Sequence, residues 1–565
     1  MTRQHQATDA GEEVTQYTEQ SPLLNNGGEA RNGNGIVKDV VDEEERLGER
    51  HQGQRNAKAQ VNIVKIISVL LIGILVAHAD GSMLLATHPT IASEFNDLTN
   101  STWLITSFAL AGAATQTLYG KLSDIYGRKP LVIIAYSILV IGWGIGQTMW
   151  QVVVGRIISG AGSSGMTALV SVLITDLLPL RDVAQWRAFV NVVATTGRSI
   201  GGPLGGWLAD VVGWRWSFLG QVPVVGLAIV LVAIYLPNPP SEPESVASSG
   251  ESNNKKSKWS RIDFRGSIIF ACMVLALLLP IELGGPKLPW THPIILSLFT
   301  LSGVLLYLFI LVERREEEPI LPLEIFHQQD AVLSFLIMGF QMAAQISLMF
   351  SVPLYFQVTG NMSNTESGMH LVPAVVGNAI GGLLSGLIIK RTGRYKLLVV
   401  FSVTCSSLSY LSMMLRWHGN TNWWESLYII PSGFGTGIAQ SALFISLQVV
   451  IDPAHMAPAI SFMYLSTTVW ITIGLPISNA AMQASLRSTL QTRLTDLGLR
   501  GKALQTILEN ATSDVGYVLR TTGKVHAAIV GSYVDGLWWS HAVSFVSSSA
   551  AFLLSLFLTQ RRLDV

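Results

Sequence analysis

The chain has 565 residues, of which 49% are hydrophobic and only 13% are charged. A soluble protein carries about 25% charged residues, so this composition indicates an integral membrane protein and argues against a soluble enzyme. Lys and Arg together number 37, as do Asp and Glu, and this zero net charge gives no indication of nucleic acid as a partner.

The first segment, residues 1–61, is polar, rich in Gly, Asn, Gln and Glu, and poor in aromatic residues. This composition predicts a disordered tail that stays in the cytosol. Glu19, Leu23 and Leu24 match the acidic dileucine pattern that sorts membrane proteins to lysosomes and vacuoles, although so short a pattern also arises by chance. A sorting adaptor is therefore a candidate partner of this tail.

Apolar stretches long enough to cross a bilayer begin near Val64 and continue to the C-terminus. Their even number places both termini on one side, and the excess of Lys and Arg in the loops of that side predicts that it is cytosolic. Three N-x-S/T sequons, at Asn100, Asn361 and Asn510, fall in loops predicted on the opposite side and are candidates for glycosylation. The fourteen predicted spans are residues 64–87, 102–121, 130–149, 152–177, 187–208, 216–236, 266–284, 293–312, 331–355, 367–389, 396–415, 425–450, 457–480 and 538–559.

The spans fall into groups separated by polar connections. Two bundles of six helices and an extra two-helix hairpin together predict an all-α polytopic membrane protein with 14 transmembrane helices. In chain order, the predicted parts are an N-terminal bundle at 62–237, a cytosolic linker at 238–264, the hairpin at 265–313, a cytosolic loop at 314–330, and a C-terminal bundle at 331–560 with a lumenal insertion at about 484–537.

The loop between the second and third spans collects glycines and charges: Gly120, Asp124, Gly127, Arg128 and Lys129. Part of it recurs at a constant offset of 266, as Gly386, Gly393 and Arg394. Two related halves in one polytopic chain are typical of a secondary transporter. Contacts of the loop that form in one access state and break in the other would bias the two states. Anchoring by positive charge alone explains Arg128 and Lys129, but neither Asp124 nor the glycines.

Ionisable residues inside a bilayer are costly and therefore point to function. Asp80 in the first span is the sharpest case, because burial disfavours the charged carboxylate and lets it load and release a proton or pair with a cation. An Asp-Gly-Ser turn that only caps a broken span is the alternative. Arg156 in the fourth span is a plausible partner that would tune Asp80. His88 could sense pH or could be a structural residue at the helix end.

The fifth span carries Arg198 within a run of glycines around a proline: Gly197, Gly201, Gly202, Pro203, Gly205 and Gly206. Such a helix can bend and pack closely, which suits a hinge between two access states, although close packing alone also explains it. A transporter of two halves needs a substrate cavity between them. Polar residues of the second half that could line such a cavity are Gln341, Gln345, His370 and Asn378.

Motifs of other function classes are missing from the sequence. It has no G-x-x-x-x-G-K-[ST] phosphate loop, no nucleophile elbow and no His/Cys spacing typical of a metal site. Cys272 and Cys405 lie in apolar stretches and are expected to be small core residues. We therefore expect no enzyme activity, no cofactor and no metal.

Several stretches resemble the major facilitator superfamily over residues 62–560. GKLSDIYGRKP (120–130) resembles its signature loop between spans two and three, GRIISGAGSSG (155–165) its fourth-span motif implicated in proton coupling, and GRSIGGPLGG (197–206) its fifth-span antiporter motif. The fourteen spans, with WRWSFLGQVP (214–223) and IDFRGSIIF (262–270), resemble the drug:proton antiporter branch. ADGSMLLATHPTIASEFN (79–96) is more similar to the fungal vacuolar amino-acid transporters than to multidrug exporters. Gln221 and Lys390 depart from the family pattern.

The resemblance implies a proton-coupled antiporter that moves basic amino acids from the cytosol into the vacuole by alternating access. Its partners would be a small-molecule substrate, protons and the vacuolar bilayer. One alternative is a plasma-membrane efflux pump for drugs or a fungal secondary metabolite. Another is a nutrient sensor on a transporter fold, which would bind its ligand without transporting it.

Overall fold

The structure is a computed structural model that describes residues 33–95, 101–140, 146–236, 261–284, 288–316, 318–513 and 515–561. Residues 1–61 form one unit and residues 62–565 a second, and all packing described below is within the second. The described residues are helical throughout, apart from an isolated bridge between Gly284 and Leu288 and short connections that include three 3₁₀ turns.

The helices are α1 (Gly33–Glu94), α2 (Thr102–Tyr126), α3 (Arg128–Val140), α4 (Met149–Leu177), α5 (Leu180–Val211), α6 (Trp214–Leu219), α7 (Gln221–Tyr235), α8 (Phe264–Leu283), α9 (Pro293–Glu313), α10 (Gln329–Gly360), α11 (Asn364–Met369), α12 (Val372–Thr392), α13 (Lys396–Arg416), α14 (Ile430–Val450), α15 (Met456–Asp496), α16 (Gly501–Ser513), α17 (Val515–Arg520) and α18 (Gly523–Leu556). We call α1–α7 the N-half, α8–α9 the hairpin and α10–α18 the C-half.

Among the described residues, eleven helical segments have the length and apolar composition needed to cross a bilayer. The predicted spans at 102–121, 130–149 and 187–208 correspond to α2, α3 and α5, which are not among those eleven. Helix α3 is described over 13 residues only, and α5 carries charged residues at both ends and in its middle. The count of fourteen spans therefore remains a prediction.

Two predicted boundaries differ from the structure. Helix α1 begins at Gly33, so residues 33–61 are helical where composition predicts a disordered tail. This segment has no proline and many Glu, Arg, Lys, Gln and Ala residues, which favour helix. The sixth predicted span, 216–236, consists of two helices, α6 and α7, that meet at Gly220.

The predicted insertion at 484–537 is largely an extension of two long helices. Helix α15 continues to Asp496, and α18 already begins at Gly523. Leu486, Leu490 and Leu494 recur at four-residue spacing on α15 and are fully buried in a separate apolar cluster with residues of α16, α17 and α18. The outer segment therefore packs around a small core that it shares with Val358 at the end of α10.

The two halves meet where α5 packs against α12 and α14, and where α2 packs against α15. These contacts concentrate at the end of the bundle that carries the 120–130 loop and Gly393, which we call the motif-loop end. Gly120 and Gly386 make the closest approaches there. A Cβ atom at Gly120 would lie 2.8 Å from the Ala457 carbonyl oxygen, and one at Gly386 would lie 2.9 Å from the Ala184 carbonyl oxygen. Equivalent glycines of the two halves thus bring opposite helices together.

Candidate functional site

A cavity of about 360 Å³ lies between the two halves. Its wall is built by α1, α2, α4 and α5 from the N-half and by α10, α14 and α15 from the C-half. The polar and charged lining residues are His78, Gln116, Ser163, Ser164, Thr167, Arg187, Asn191, Arg198, Gln440, Tyr464, Thr467 and Thr468. None of the described lining residues is Asp or Glu, so the charge of the wall is positive.

The ion pair between Asp80 and Arg156 lies directly behind this wall. Arg156 Nη1 donates to Asp80 Oδ2 at 2.9 Å, and both side chains are buried. Gln221 Nε2 is 3.4 Å from Asp80 Oδ1. The Arg156 guanidinium stacks 4.0 Å from the centre of the Phe108 ring, which itself lines the cavity. The predicted pairing of Asp80 with Arg156 is therefore present, one side chain away from the cavity.

Gln221 is a site residue that the sequence pattern flagged only as a departure from the family. It begins α7, directly after the break at Gly220. Its side chain also reaches the Ser217 carbonyl oxygen at 3.2 Å and Met83 Sδ at 3.4 Å. The break between α6 and α7 therefore positions the amide that contacts Asp80.

The glycine run of α5 sets how closely that helix packs against α1. Gly197, Gly201 and Gly205 recur at four-residue spacing, and a Cβ atom at any of them would lie within 2.8 Å of an α1 atom. By contrast, Gly206 has no heavy atom within 4 Å of its Cβ position, and at Gly202 the nearest is Ser82 Oγ at 3.3 Å. This stripe holds Arg198 beside the helix that carries Asp80. Pro203 lies within α5, and a hinge role for it remains a prediction.

The 120–130 loop forms an ion-pair cluster at the motif-loop end. Arg128 pairs with Asp124 at 2.6 Å and with Asp176 at 2.9 Å. Gly127 has φ of +92°, which strongly favours glycine. Lys129 is partly exposed beside the cluster. The structure therefore gives Asp124 a partner that positive-charge anchoring does not account for.

A second set of contacts joins the halves between the cavity and the motif-loop end. Arg187 Nη1 donates to Ser171 Oγ and to Tyr464 Oη, both at 2.7 Å. Asn191 Nδ2 donates to Asn378 Oδ1 at 2.6 Å. Nearer the motif-loop end, Lys390 and Asp182 form a 2.8 Å ion pair. Sequence reasoning missed Arg187 and Tyr464, because only the folded chain brings α5 and α15 together.

Other predicted site residues lie elsewhere. His88 is about 12 Å along α1 from Asp80 at 1.5 Å per residue, and its Nδ1 is 3.1 Å from the Leu85 carbonyl oxygen. His370 stacks on Phe356 at 3.6 Å. Gln341 and Gln345 both contact Thr436 inside the C-half. None of these is among the residues that line the cavity, so we do not assign them to it.

The residues predicted to be glycosylated or to direct sorting lie away from the cavity or outside the described residues. Asn361 is exposed, with a left-handed φ of +51° just after α10, and Asn510 lies in α16. Asn100, Glu19, Leu23 and Leu24 lie outside the described residues. Their predicted roles in glycosylation and sorting stay predictions.

Comparison with known proteins identifies relatives over almost the whole chain. The vacuolar membrane amino acid uptake transporter fnx2 of Schizosaccharomyces pombe is 29% identical and covers 90% of this chain and 86% of its own. The multidrug resistance protein fnx1 of the same yeast is 28% identical, covering 90% and 94%. The vacuolar basic amino acid transporter 2 of Saccharomyces cerevisiae is 26% identical, covering 81% and 97%.

A solved structure shows the same fold. The proton:xylose symporter XylE superposes with a TM-score of 0.54 at 14% identity, covering 90% of this chain and 98% of its own. The family profile described as Major Facilitator Superfamily matches residues 70–475. The resemblance inferred from the sequence motifs is confirmed, and this chain is an integral membrane protein that belongs to the Major Facilitator Superfamily.

Proposed function

We propose that the protein is a proton-coupled antiporter that moves basic amino acids from the cytosol into the vacuole by alternating access. The observation that carries the proposal is the buried Asp80–Arg156 pair beside a cavity shared by both halves. The names of two relatives, both vacuolar amino acid transporters, support the substrate class and the membrane.

Asp80 is the proposed proton carrier. An ionised carboxylate in a dry site needs a partner, and Arg156 supplies it. When Arg156 turns away, the unpartnered carboxylate takes up a proton, because an isolated buried charge is costly. Arg156 reaches the cavity wall through Phe108. A substrate in the cavity can therefore shift Arg156, and this movement would couple substrate binding to the protonation of Asp80.

Alternating access requires the halves to separate at the motif-loop end. The contacts that hold them there are individually weak, since exposed ion pairs such as Lys390–Asp182 contribute about 0.2–1 kcal/mol. Two states that differ by a few such contacts are both populated. The Arg128 cluster lies at the same end and is the proposed element that biases the two states.

The alternative is a plasma-membrane exporter of drugs or a secondary metabolite, which the relative named as a multidrug resistance protein supports. The two functions predict different locations, the vacuolar membrane and the plasma membrane. Replacing Leu23 and Leu24 with Ala should move a fluorescently tagged chain away from the vacuolar membrane if the dileucine pattern is used. A wild-type chain already at the plasma membrane would favour the exporter.

Transport is tested with vacuolar membrane vesicles, acid inside, from cells that make the protein. We expect them to accumulate radiolabelled lysine and arginine, and a protonophore to abolish the accumulation. Vesicles that contain the protein but accumulate neither amino acid would refute the proposed substrate. Saturable binding without accumulation would instead indicate a sensor.

A further inference from the structure

We propose that Arg198 binds the carboxylate group of the transported molecule. This inference rests on the proposed transport of amino acids and names the subsite that would recognise their common acidic group. It also distinguishes amino acids from amines that lack a carboxylate. Molecules that carry only positive charge would find no counter-charge in the cavity wall.

Arg198 lies on the face of α5 that borders the cavity. Arg187, Asn191 and Ala194 line the same wall, and their spacing with Arg198 places all four on one side of the helix. The Arg198 residue is exposed, as expected for a side chain that faces an open space. Its guanidinium is therefore available to a ligand in the cavity.

Arg198 differs in its partners from several other arginines of the helical bundle. No carboxylate of the described residues lies within ion-pair distance of Arg198. Several other arginines each pair with a carboxylate of the chain: Arg128, Arg156, Arg215, Arg416 and Arg493. An arginine without such a partner at membrane depth is costly, and a ligand carboxylate would supply the missing charge through two parallel hydrogen bonds.

The backbone of α5 holds Arg198 in place. Gly197 and Gly201, on either side of it, press against α1 so closely that a Cβ atom would lie 2.6 Å from the Leu75 carbonyl oxygen or 2.3 Å from that of Ala79. A fixed backbone lowers the entropy lost when the guanidinium binds a ligand. The glycine run thus contributes to binding as well as to helix packing.

Arg187, the second cavity arginine, is not an equivalent subsite. It lies eleven residues earlier, about 16 Å along the helix at 1.5 Å per residue. Its guanidinium is already held by Ser171 and Tyr464 and stacks 4.1 Å from the centre of the Phe444 ring. We therefore assign Arg187 to the contact between the halves and Arg198 to the ligand.

The test compares amino acids with the same molecules lacking the carboxylate. Purified full-length protein in lipid nanodiscs is titrated with L-lysine and L-arginine, and with 1,5-diaminopentane and agmatine, while its thermal unfolding is followed. We expect the amino acids to stabilise the protein and the two amines to have no effect. Arg198→Gln should weaken amino acid binding about 10- to 100-fold, and Arg198→Lys should restore part of it. Arg487→Gln, an exposed arginine outside the cavity wall, is the matched control and should bind normally.

The outcomes separate this inference from the proposed function. If lysine is transported but Arg198→Gln binds it normally, or if 1,5-diaminopentane binds as well as lysine, the carboxylate subsite is wrong and the transport proposal stands. If vesicles transport no amino acid, yet the amino acids bind and only Arg198→Gln abolishes binding, the subsite stands and the transport proposal fails. If neither the amino acids nor the two amines bind, the inference is overturned.

Discussion

Asp80 of α1 and Arg156 of α4 form a 2.9 Å ion pair in which both side chains are buried. A pair of this kind gains little over apolar packing, because desolvation offsets the attraction. Removal of one partner alone, however, costs about 3–5 kcal/mol, since the other charge is left buried and unpaired. Its presence beside the cavity is therefore better explained by function than by stability.

Asp80→Asn should abolish uptake driven by a pH gradient while leaving the amount of protein in the membrane unchanged. Asparagine preserves the shape of the side chain but carries no titratable proton. Arg156 would then lie buried without its counter-charge, so a lower melting temperature is also expected. Uptake of radiolabelled lysine, normalised to protein in the vesicles, is the measurement. Retained gradient-driven uptake would contradict the role of Asp80.

Gly120→Leu should push the halves apart at the motif-loop end. The side chain would meet Ser461 and the backbone of Ala457 on α15, and such overpacking costs about 1–3 kcal/mol. We expect less cross-linking by a short bifunctional thiol reagent between cysteines placed at Thr175 and Gln448, which are hydrogen-bonded across the halves. Gly206→Leu is the control, because its Cβ position is open. Equal cross-linking in both variants would contradict this interface.

Glu318 should contribute a small stabilisation that disappears in acid. Partial burial opposes its ionisation, but hydrogen bonds from Arg261 and Lys121 lower the pKa of Glu318 overall. Because the folded pKa is below the unfolded one, the stabilisation is complete above the ordinary glutamate value and is lost as pH falls through the folded pKa. Glu318→Gln should therefore unfold more easily at neutral pH, by about 0.2–1 kcal/mol per ion pair.

The check is the melting temperature of detergent-solubilised protein between pH 3 and pH 7. The difference between wild type and Glu318→Gln should narrow towards the acid end. Glu324→Gln, at an exposed position nearby, should behave as wild type at every pH. A difference that stays constant with pH would show that Glu318 does not act through its charge.

Asn361 should carry a glycan, which would place the end of the bundle opposite the motif-loop end in the lumen. Asn361→Gln should raise electrophoretic mobility and reduce the shift produced by an endoglycosidase. This change keeps Ser363, whose side chain caps α11 together with Glu366, so the helix should remain intact. An endoglycosidase shift that is the same in the variant and in wild type would refute glycosylation at this site.

The sequence predicted the parts of this protein that depend on local composition and on motif spacing. Long apolar stretches predict helices, and the spacing of Gly120 and Gly386 predicts two related halves. The Asp80–Arg156 pair was also predicted, because buried charges require partners. The charge of the cavity wall was not, since it depends on which face of α5 turns inward.

The sequence alone did not predict the contacts between segments that lie far apart in the chain. Arg187 begins the predicted fifth span, 187–208, and the sequence gives it no partner, whereas the structure places it between Tyr464 and Ser171. The extension of α15 to Asp496 was also missed, because its polar outer face resembles a loop until Leu486, Leu490 and Leu494 are seen to share a core. Both features depend on tertiary packing, which periodicity alone does not describe.

The most direct test of proton-coupled antiport follows protons and substrate together. Purified protein is reconstituted in liposomes that are acid inside and contain a pH-sensitive dye, and lysine is added outside. We predict that lysine uptake makes the interior less acid with wild-type protein, and that Asp80→Asn shows neither the pH change nor the uptake. Entry of lysine without any change in internal pH would contradict the account.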